Sequence, residues 1–277
     1  MQYVPALFIE TLTRTIWSKA LRKFEYYFRG RWSALAAKTL DIPGVGVYIE
    51  VSDNVIFCQI RDSNSDTIFD ASLLDPRRYY ISKISISEEE DPVGSPLTKE
   101  ILIKLKNMFS KGYRRLDEID IHDSCGGFPQ ILEFLDSVVS VEGCGVSIDD
   151  NRLNPFYRKI LDQTVNCFYN DSEINLECGE LLRNALKEKR LRSLWLQISK
   201  ESKEVCGKLV NTILHEITWH KRCYIKLSKD YDELFTSFRN SLIPLTSRNS
   251  FENQNGIQIE LGKHWKDLIS YDGFETQ

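Results

Sequence analysis

The 277-residue sequence contains no apolar run approaching the ~18 consecutive residues that a membrane-crossing helix needs. It also lacks the basic start and unbroken apolar core of a secretory signal. The opening MQYVPALFIETL is interrupted by Pro5 and followed by Glu10 and Arg14, so this segment is expected to be kept and folded. The seven cysteines (Cys58, Cys125, Cys144, Cys167, Cys178, Cys206 and Cys223) are odd in number, and no two form a CxxC pair. That spacing excludes a disulfide framework and a zinc module, and leaves reduced, mostly buried thiols. A cytoplasmic location is expected, with the nucleus also open to the chain. The single sequon, Asn170-Asp171-Ser172, means little without a secretory route.

Strings that carry chemistry are equally scarce. Gly44-Val45-Gly46 lacks the third glycine of a dinucleotide loop, and no phosphate-binding P-loop is present. HEITWH (215–220) spaces His215 and His220 five apart, whereas the zinc motif HExxH needs four. At ~100° per residue the two rings point about 140° apart, and Trp219 stands where the second ligand belongs. HDSCGG (122–127) is similar to the serine-protease string GDSGG, but a Cys is inserted and His122 replaces the leading glycine. Gly126-Gly127 more simply turns the chain between a strand and a helix. No carboxylates form a spaced pair for acid–base work. No catalytic residue, metal or cofactor is expected, and the chain reads as non-enzymatic.

Positive charge is short overall, with a net charge of −4, but it is unevenly placed. Residues 1–40 hold Arg14, Lys19, Arg22, Lys23, Arg29, Arg31 and Lys38 against Glu10 and Glu25, a net +5 that leaves −9 on the rest. A basic head on an acidic body suggests an acidic partner for the head, although a solvated helix face has the same composition. Tyr26, Tyr27 and Phe28 are interleaved with these cations, a mix that single-strand nucleic-acid binders also use. Without a basic, aromatic β platform, nucleic acid is the least favoured partner.

What is present is a change of period. From Pro5 to Leu40, apolar residues recur at helical spacing: Leu7, Phe8, Leu12 and Ile16, then Leu21, Phe24 and Phe28, then Trp32, Leu35 and Ala36. Ile42-Pro43-Gly44 marks a boundary, dividing 1–43 from 44–277. VYIEVSDNVIFCQI alternates around Asp53-Asn54 and predicts a hairpin, and Tyr80–Ile86 predicts a strand. An acidic loop, SEEEDPVGSP (87–96), follows. Beyond it, predicted helices near 98–110, 128–137, 155–168, 179–189, 203–217 and 231–242 alternate with predicted strands at 116–122, 138–143, 173–178, 191–198, 222–228 and 257–261. This alternation indicates an α/β repeat. Leu116-x-x-Ile119-x-Ile121 and Leu191-x-x-Leu194-x-Leu196 fit the leucine-rich template LxxLxL, while Ile174-x-Leu176 and Ile225-x-Leu227 match only its last two positions. The expectation is a degenerate, irregular leucine-rich-like strand/helix solenoid.

The first forty residues resemble an F-box module. Val4-Pro5 supplies a Leu-Pro-like start, short helices follow, and Trp32-Ser33-Ala34-Leu35-Ala36 gives a closing W-x-x-L-A. The whole chain resembles a set of divergent nematode F-box-like proteins. These start with M-x-x-V-P-x-x-F, here Met1 to Phe8, and often carry a late F-x-x-x-N-G, here Phe251 to Gly256. The middle of the segment, WSKALRKFEYYFRG, is more aromatic and basic than the usual Leu- and Asp-containing helix junction. The resemblance implies docking to the Skp-type adaptor of a cullin–RING ubiquitin ligase through Val4, Pro5, Phe8, Leu12, Ile16, Leu21 and Trp32. It also implies recruitment of a protein substrate on the body. If the body is leucine-rich-like, the positions between its apolar residues are presented on one face: Asp120, His122, Asn175, Glu177, Trp195, Gln197, Lys226 and Ser228. Two alternatives stand beside this expectation. Residues 4–40 close the repeat body as a helical cap on a stand-alone binding protein, or the basic head binds nucleic acid. No membrane contact is expected.

Overall fold

The computed structural model describes residues 18–27, 29–111, 115–122, 127–146, 150–170, 174–188, 190–198, 222–228, 250–253 and 256–261. Its chain starts with two helices, α1 (Ser18–Tyr27) and α2 (Arg31–Leu40). Gly30, at φ 71°, makes the reversal between them, a conformation without steric cost for a residue lacking Cβ. Leu21, Trp32, Ala36 and Thr39 form the buried side of the pair. The Ser33 hydroxyl donates to the Glu25 carbonyl oxygen (3.0 Å), tying α2 back to α1. These helices fall within the span read as helical; Val4, Pro5, Phe8, Leu12 and Ile16 lie outside the described residues.

After Pro43 the period changes from helical to alternating. β1 (Gly44–Ser52) and β2 (Val55–Asp62) form the expected hairpin. Its two-residue turn holds both Asp53 (φ 48°) and Asn54 (φ 63°) in the left-handed region. Short Asp and Asn side chains tolerate that region, and its twist matches the flanking strands. β1 also pairs in parallel with β3 (Tyr80–Glu88), and β4 (Ser95–Pro96) adds a short antiparallel edge to β2.

The rest of the sheet comprises β5 (Leu116–Ile121), β6 (Val141–Val146), β7 (Val165–Asn170), β8 (Leu191–Ile198), β9 (Arg222–Ser228), β10 (Ser250–Asn253) and β11 (Gly256–Leu261). The spatial order is β10-β11-β9-β8-β7-β6-β5-β3-β1-β2-β4, a mixed sheet in an α/β protein. From β3 to β9 each strand is parallel to the next. The links carry α3 (Lys99–Lys111), α4 (Pro129–Ser137), α5 (Asn154–Leu161) and α6 (Leu176–Lys187). Parallel crossovers are right-handed, so a run of adjacent strands taken in order places every linking helix on the same side. The burial agrees: Ile84, Ile119, Cys144 and Phe168 share one core with Leu105, Phe134, Tyr157 and Leu182.

That core is organised in rungs. Ile84, Ile119, Cys144, Phe168 and Leu194 stand in register across five strands; the next rung is Ile86, Ile121, Val146 and Asn170. Two arginines fasten the starts of the strands. Arg115 donates to Ser140 Oγ and to the Val141 and Thr164 carbonyls, and Arg190 donates to the Leu161 carbonyl and Asp162.

Several sequence expectations are corrected. The strand read at 173–178 is not one: Asn175 caps α6, accepting from the Cys178 N–H at 2.8 Å, and Glu177 lies in its first turn. The strand of this unit is β7, which begins within the span read as a helix over 155–168 and runs past its end to Asn170; α5 stops at Leu161. Leu161, Val165 and Phe168 stand at helical steps of four and three by coincidence, because a short apolar run does not distinguish the two periods. The strand read at 138–143 runs instead from Val141 to Val146, since Gly143 and Gly145 concealed its second half. β11 does not continue the parallel run. It forms a hairpin with β10 and pairs antiparallel to β9, so Phe251–Asn253 and Gly256 belong to that hairpin. The acidic loop is shorter than read, since Ser87 and Glu88 extend β3 and Ser95–Pro96 forms β4.

Candidate functional site

With the helices gathered on one side, the opposite side of β3 to β7 has no helix over it among the described residues. Its positions are those left between the core rungs. One row in register is Tyr48, Ser85, Asp120, Gly145, Tyr169, Trp195 and Tyr224; the adjacent row is Gly46, Lys83, Glu118, Gly143, Cys167, Ser193 and Arg222. The rows bring together charge, aromatic residues and three glycines, Gly46, Gly143 and Gly145.

The charged group is compact. Lys83 Nζ lies 2.8 Å from Asp120 Oδ2 and 3.6 Å from Glu118 Oε2, with Lys83 39%, Asp120 15% and Glu118 53% exposed. Burial alone would lower the Lys83 pKa, but the hydrogen bond and charge of Asp120, followed by Glu118, outweigh it and raise the pKa. Two carboxylates around one ammonium leave the group net negative. Gly145 makes this geometry possible: a Cβ there would overlap Asp120 Oδ1. At the end of β1's row Tyr48 receives the Arg61 guanidinium 5.0 Å above its ring, a cation–π contact.

The sequence-predicted residues divide. Asp120 sits in this cluster, and His122 is exposed just beyond β5, its N–H donating to the Ile86 carbonyl (2.9 Å). Trp195 and Gln197 lie on β8, with Trp195 in register between Tyr169 and Tyr224; Lys226 and Ser228 lie on β9. Asn175 and Glu177 do not belong to the face. Besides its capping role, Asn175 donates to Asn154 Oδ1, while Glu177 accepts from Asn154 Nδ2 (2.9 Å) and Arg158 Nη2 (2.5 Å), bracing α5 against α6. Of the adaptor residues, Leu21 is 1% and Trp32 9% exposed, so both pack inside the chain. Cys125 and the HEITWH string lie outside the described residues.

Sequence reasoning missed Lys83, Glu118 and Tyr169. The first had a signal: Ile81-x-x-Ile84-x-Ile86 is the LxxLxL template, with Lys83 between its apolar positions. Glu118 lay inside a strand read as LxxLxL but was not carried to the face. Tyr169 fell between the helix read over 155–168 and the strand read from 173, so it was assigned to neither.

A cavity of about 340 Å³ opens at the β2–β4 edge, lined by Cys58, Ile60, Ile68, Phe69, Val93 and Ile101. Burial, then the charge of Glu50, pushes the Cys58 thiol up to about 12, so it stays protonated and is no nucleophile at neutral pH. Among the described residues no group of three or more His, Cys, Asp or Glu is placed to hold a metal, and no helix is long and apolar enough to cross a membrane. Compared with family models, curated proteins and solved structures, the chain matches none.

Proposed function

We propose that this chain is a non-catalytic protein-interaction protein. It holds a protein substrate on the face of the sheet opposite the linking helices, and through residues 1–43 it joins a Skp-type adaptor of a cullin–RING ubiquitin ligase. The observation that carries the reading is that the described linking helices lie on one side, so that among the described residues no helix covers the charged and aromatic positions of several strands on the other side. Such a face offers area and rigid Tyr and Arg side chains, the groups that dominate protein interfaces.

Reading the body as leucine-rich-like is supported by the spacing of Leu116, Val141, Val165 and Leu191, which follow one another at 25, 24 and 26 residues. These steps fall within the ~20–29 residues of leucine-rich units. The adaptor reading is supported by the F-box-like outline of residues 4–36 and the two helices that fall in its second half. One observation favours a second reading: Leu21 and Trp32 are buried within the chain, as they would be in a helical cap on a stand-alone binder. Gel filtration of the intact chain with a purified Skp-type adaptor separates the two. The adapter reading expects a one-to-one complex that survives Asp120→Arg on the sheet face. The cap reading expects two separate peaks.

A further inference from the structure

The head's outer surface is the strongest feature of the molecule that the sheet face does not absorb. Tyr26 is 82% and Tyr27 73% exposed on α1, far more than a tyrosine needs when its helix merely covers a core. Their rings pack edge to face, centroids 5.0 Å apart and planes at 85°. Arg22 and Lys23 lie one turn earlier, so the pairs 22/26 and 23/27 share one strip of helix surface. Both cations are exposed, as are Arg29 and Arg31 at the reversal into α2; Glu25 is the one exposed carboxylate between Arg22 and Arg31. Leu21, on the other side of α1, is buried.

Two adjacent tyrosines ringed by guanidinium and ammonium groups reproduce the composition of a protein-binding hot spot, with rigid anchors at the centre and charge around them. Three classes of anionic partner fit the charge, and two fit the rest poorly. A lipid surface needs a broad apolar strip, whereas the described exposed positions of this ten-residue helix are Arg22, Lys23, Glu25 and the two tyrosines. A nucleic-acid strand uses the flat faces of rings, but here the edge of one tyrosine covers the face of the other. A strand running past the head would also meet a body of net −9. A folded partner with a local acidic patch meets neither obstacle.

We infer that the outer strip of α1, Tyr26 and Tyr27 with Arg22, Lys23, Arg29 and Arg31, is the docking surface for an acidic protein partner. The inference rests on the adapter reading for the partner's identity, and it moves the contact from the buried Leu21 and Trp32 to the exposed tyrosines. The partner surface it calls for is an acidic rim around a recess that accepts an aromatic ring. Neutralising exposed pairs of this kind makes binding salt-dependent, because opposed surface charges are screened beyond ~8 Å at physiological ionic strength.

The test is isothermal titration of the full chain with the purified Skp-type adaptor at 50 and 300 mM salt. Alongside it run Tyr26→Ala/Tyr27→Ala, Arg22→Glu/Arg31→Glu and, as a control, Glu118→Lys on the sheet face. Circular dichroism checks that each variant is folded. Binding that weakens at least tenfold in both head variants, falls with salt and is unchanged in Glu118→Lys supports the inference. Adaptor binding within twofold of the intact chain in the tyrosine variant overturns it and leaves the adapter reading standing. No binding by the intact chain overturns the adapter reading and this inference with it. Tighter binding of a dT20 oligonucleotide, or of vesicles with 30% phosphatidylserine, lost in the same head variants, would also overturn it by assigning the strip to another class of partner.

Discussion

Alanine at Gly94 and alanine at Gly145 add the same methyl group against different neighbours, and their contrast tests the packing of the sheet. At Gly94 a Cβ would sit 2.7 Å from the Cys58 carbonyl carbon, 2.8 Å from its oxygen and 3.0 Å from its nitrogen. Those atoms belong to β2, whose backbone is fixed residue by residue against β1 from Val55 to Asp62. The segment leading into β4 must therefore lift, and Ser95 and Pro96 lose their pairing with Cys58 and Phe57. Overpacking of this kind costs about 1–3 kcal/mol. At Gly145 the methyl meets only the end of a side chain, the Asp120 carboxylate, which can turn away from Lys83. With Lys83 39% exposed, the lost pair is a screened one worth about 0.2–1 kcal/mol. Replacing a strand glycine by alanine returns about 0.5–1 kcal/mol through the unfolded chain. The two nearly cancel. Urea unfolding followed by circular dichroism is expected to show a clearly lower midpoint for Gly94→Ala and almost no change for Gly145→Ala. Equal losses in the two variants, or a gain in Gly94→Ala, would refute the reasoning.

Three further outcomes follow from the same structure. Phe134 is fully buried, with its ring 5.7 Å from that of Phe109; Phe134→Ala is expected to cost about 3–5 kcal/mol in urea unfolding, and a loss below 1 kcal/mol would contradict its place in the core. Asn175→Ala removes the α6 cap and is expected to cost about 1 kcal/mol, whereas Asn175→Asp keeps the acceptor and is expected to retain most of the stability. Burial pushes up the thiols of Cys58, to about 12, and Cys144, while Asp120 raises Lys83 against its burial. A pKa raised on folding gives stability that is complete below the unfolded value and lost as pH climbs through the folded one. Urea midpoints are therefore expected to fall as pH rises above about 8.5, where an unfolded thiol ionises. Cys58→Ala is expected to flatten that fall, and an unchanged slope would contradict it.

The hairpin, β3 and α3 were legible because each carries a clean period and a clear boundary: alternation around Asp53-Asn54 for the first, an apolar helical stripe of Leu102, Leu105 and Met108 for the last. β8 and β9 were legible to the residue for the same reason. The centre of the sheet was not. β6 spends two of its six residues on glycine and β7 ends its core rung with Asn170, so neither shows the run of branched apolar residues that announces a strand. Asn175-Leu176-Glu177-Cys178 alternated like a strand, yet the asparagine's ability to cap a helix decided the outcome, a local hydrogen bond overriding period. The face was half legible for a related reason. Which residues flank a rung can be counted from a strand, but Lys83 meeting Asp120 over Gly145 depends on register among three strands, which no single segment encodes.

The central proposal is that two separate surfaces serve two partners, the head for an adaptor and the sheet face opposite the linking helices for a substrate. Hydroxyl-radical footprinting of the full chain, alone and with excess purified Skp-type adaptor, reads both surfaces side chain by side chain. The account predicts that Tyr26 and Tyr27 become protected on adding the adaptor while Tyr48 and Tyr169 keep their reactivity. Protection of Tyr48 and Tyr169 with Tyr26 and Tyr27 unchanged would contradict it.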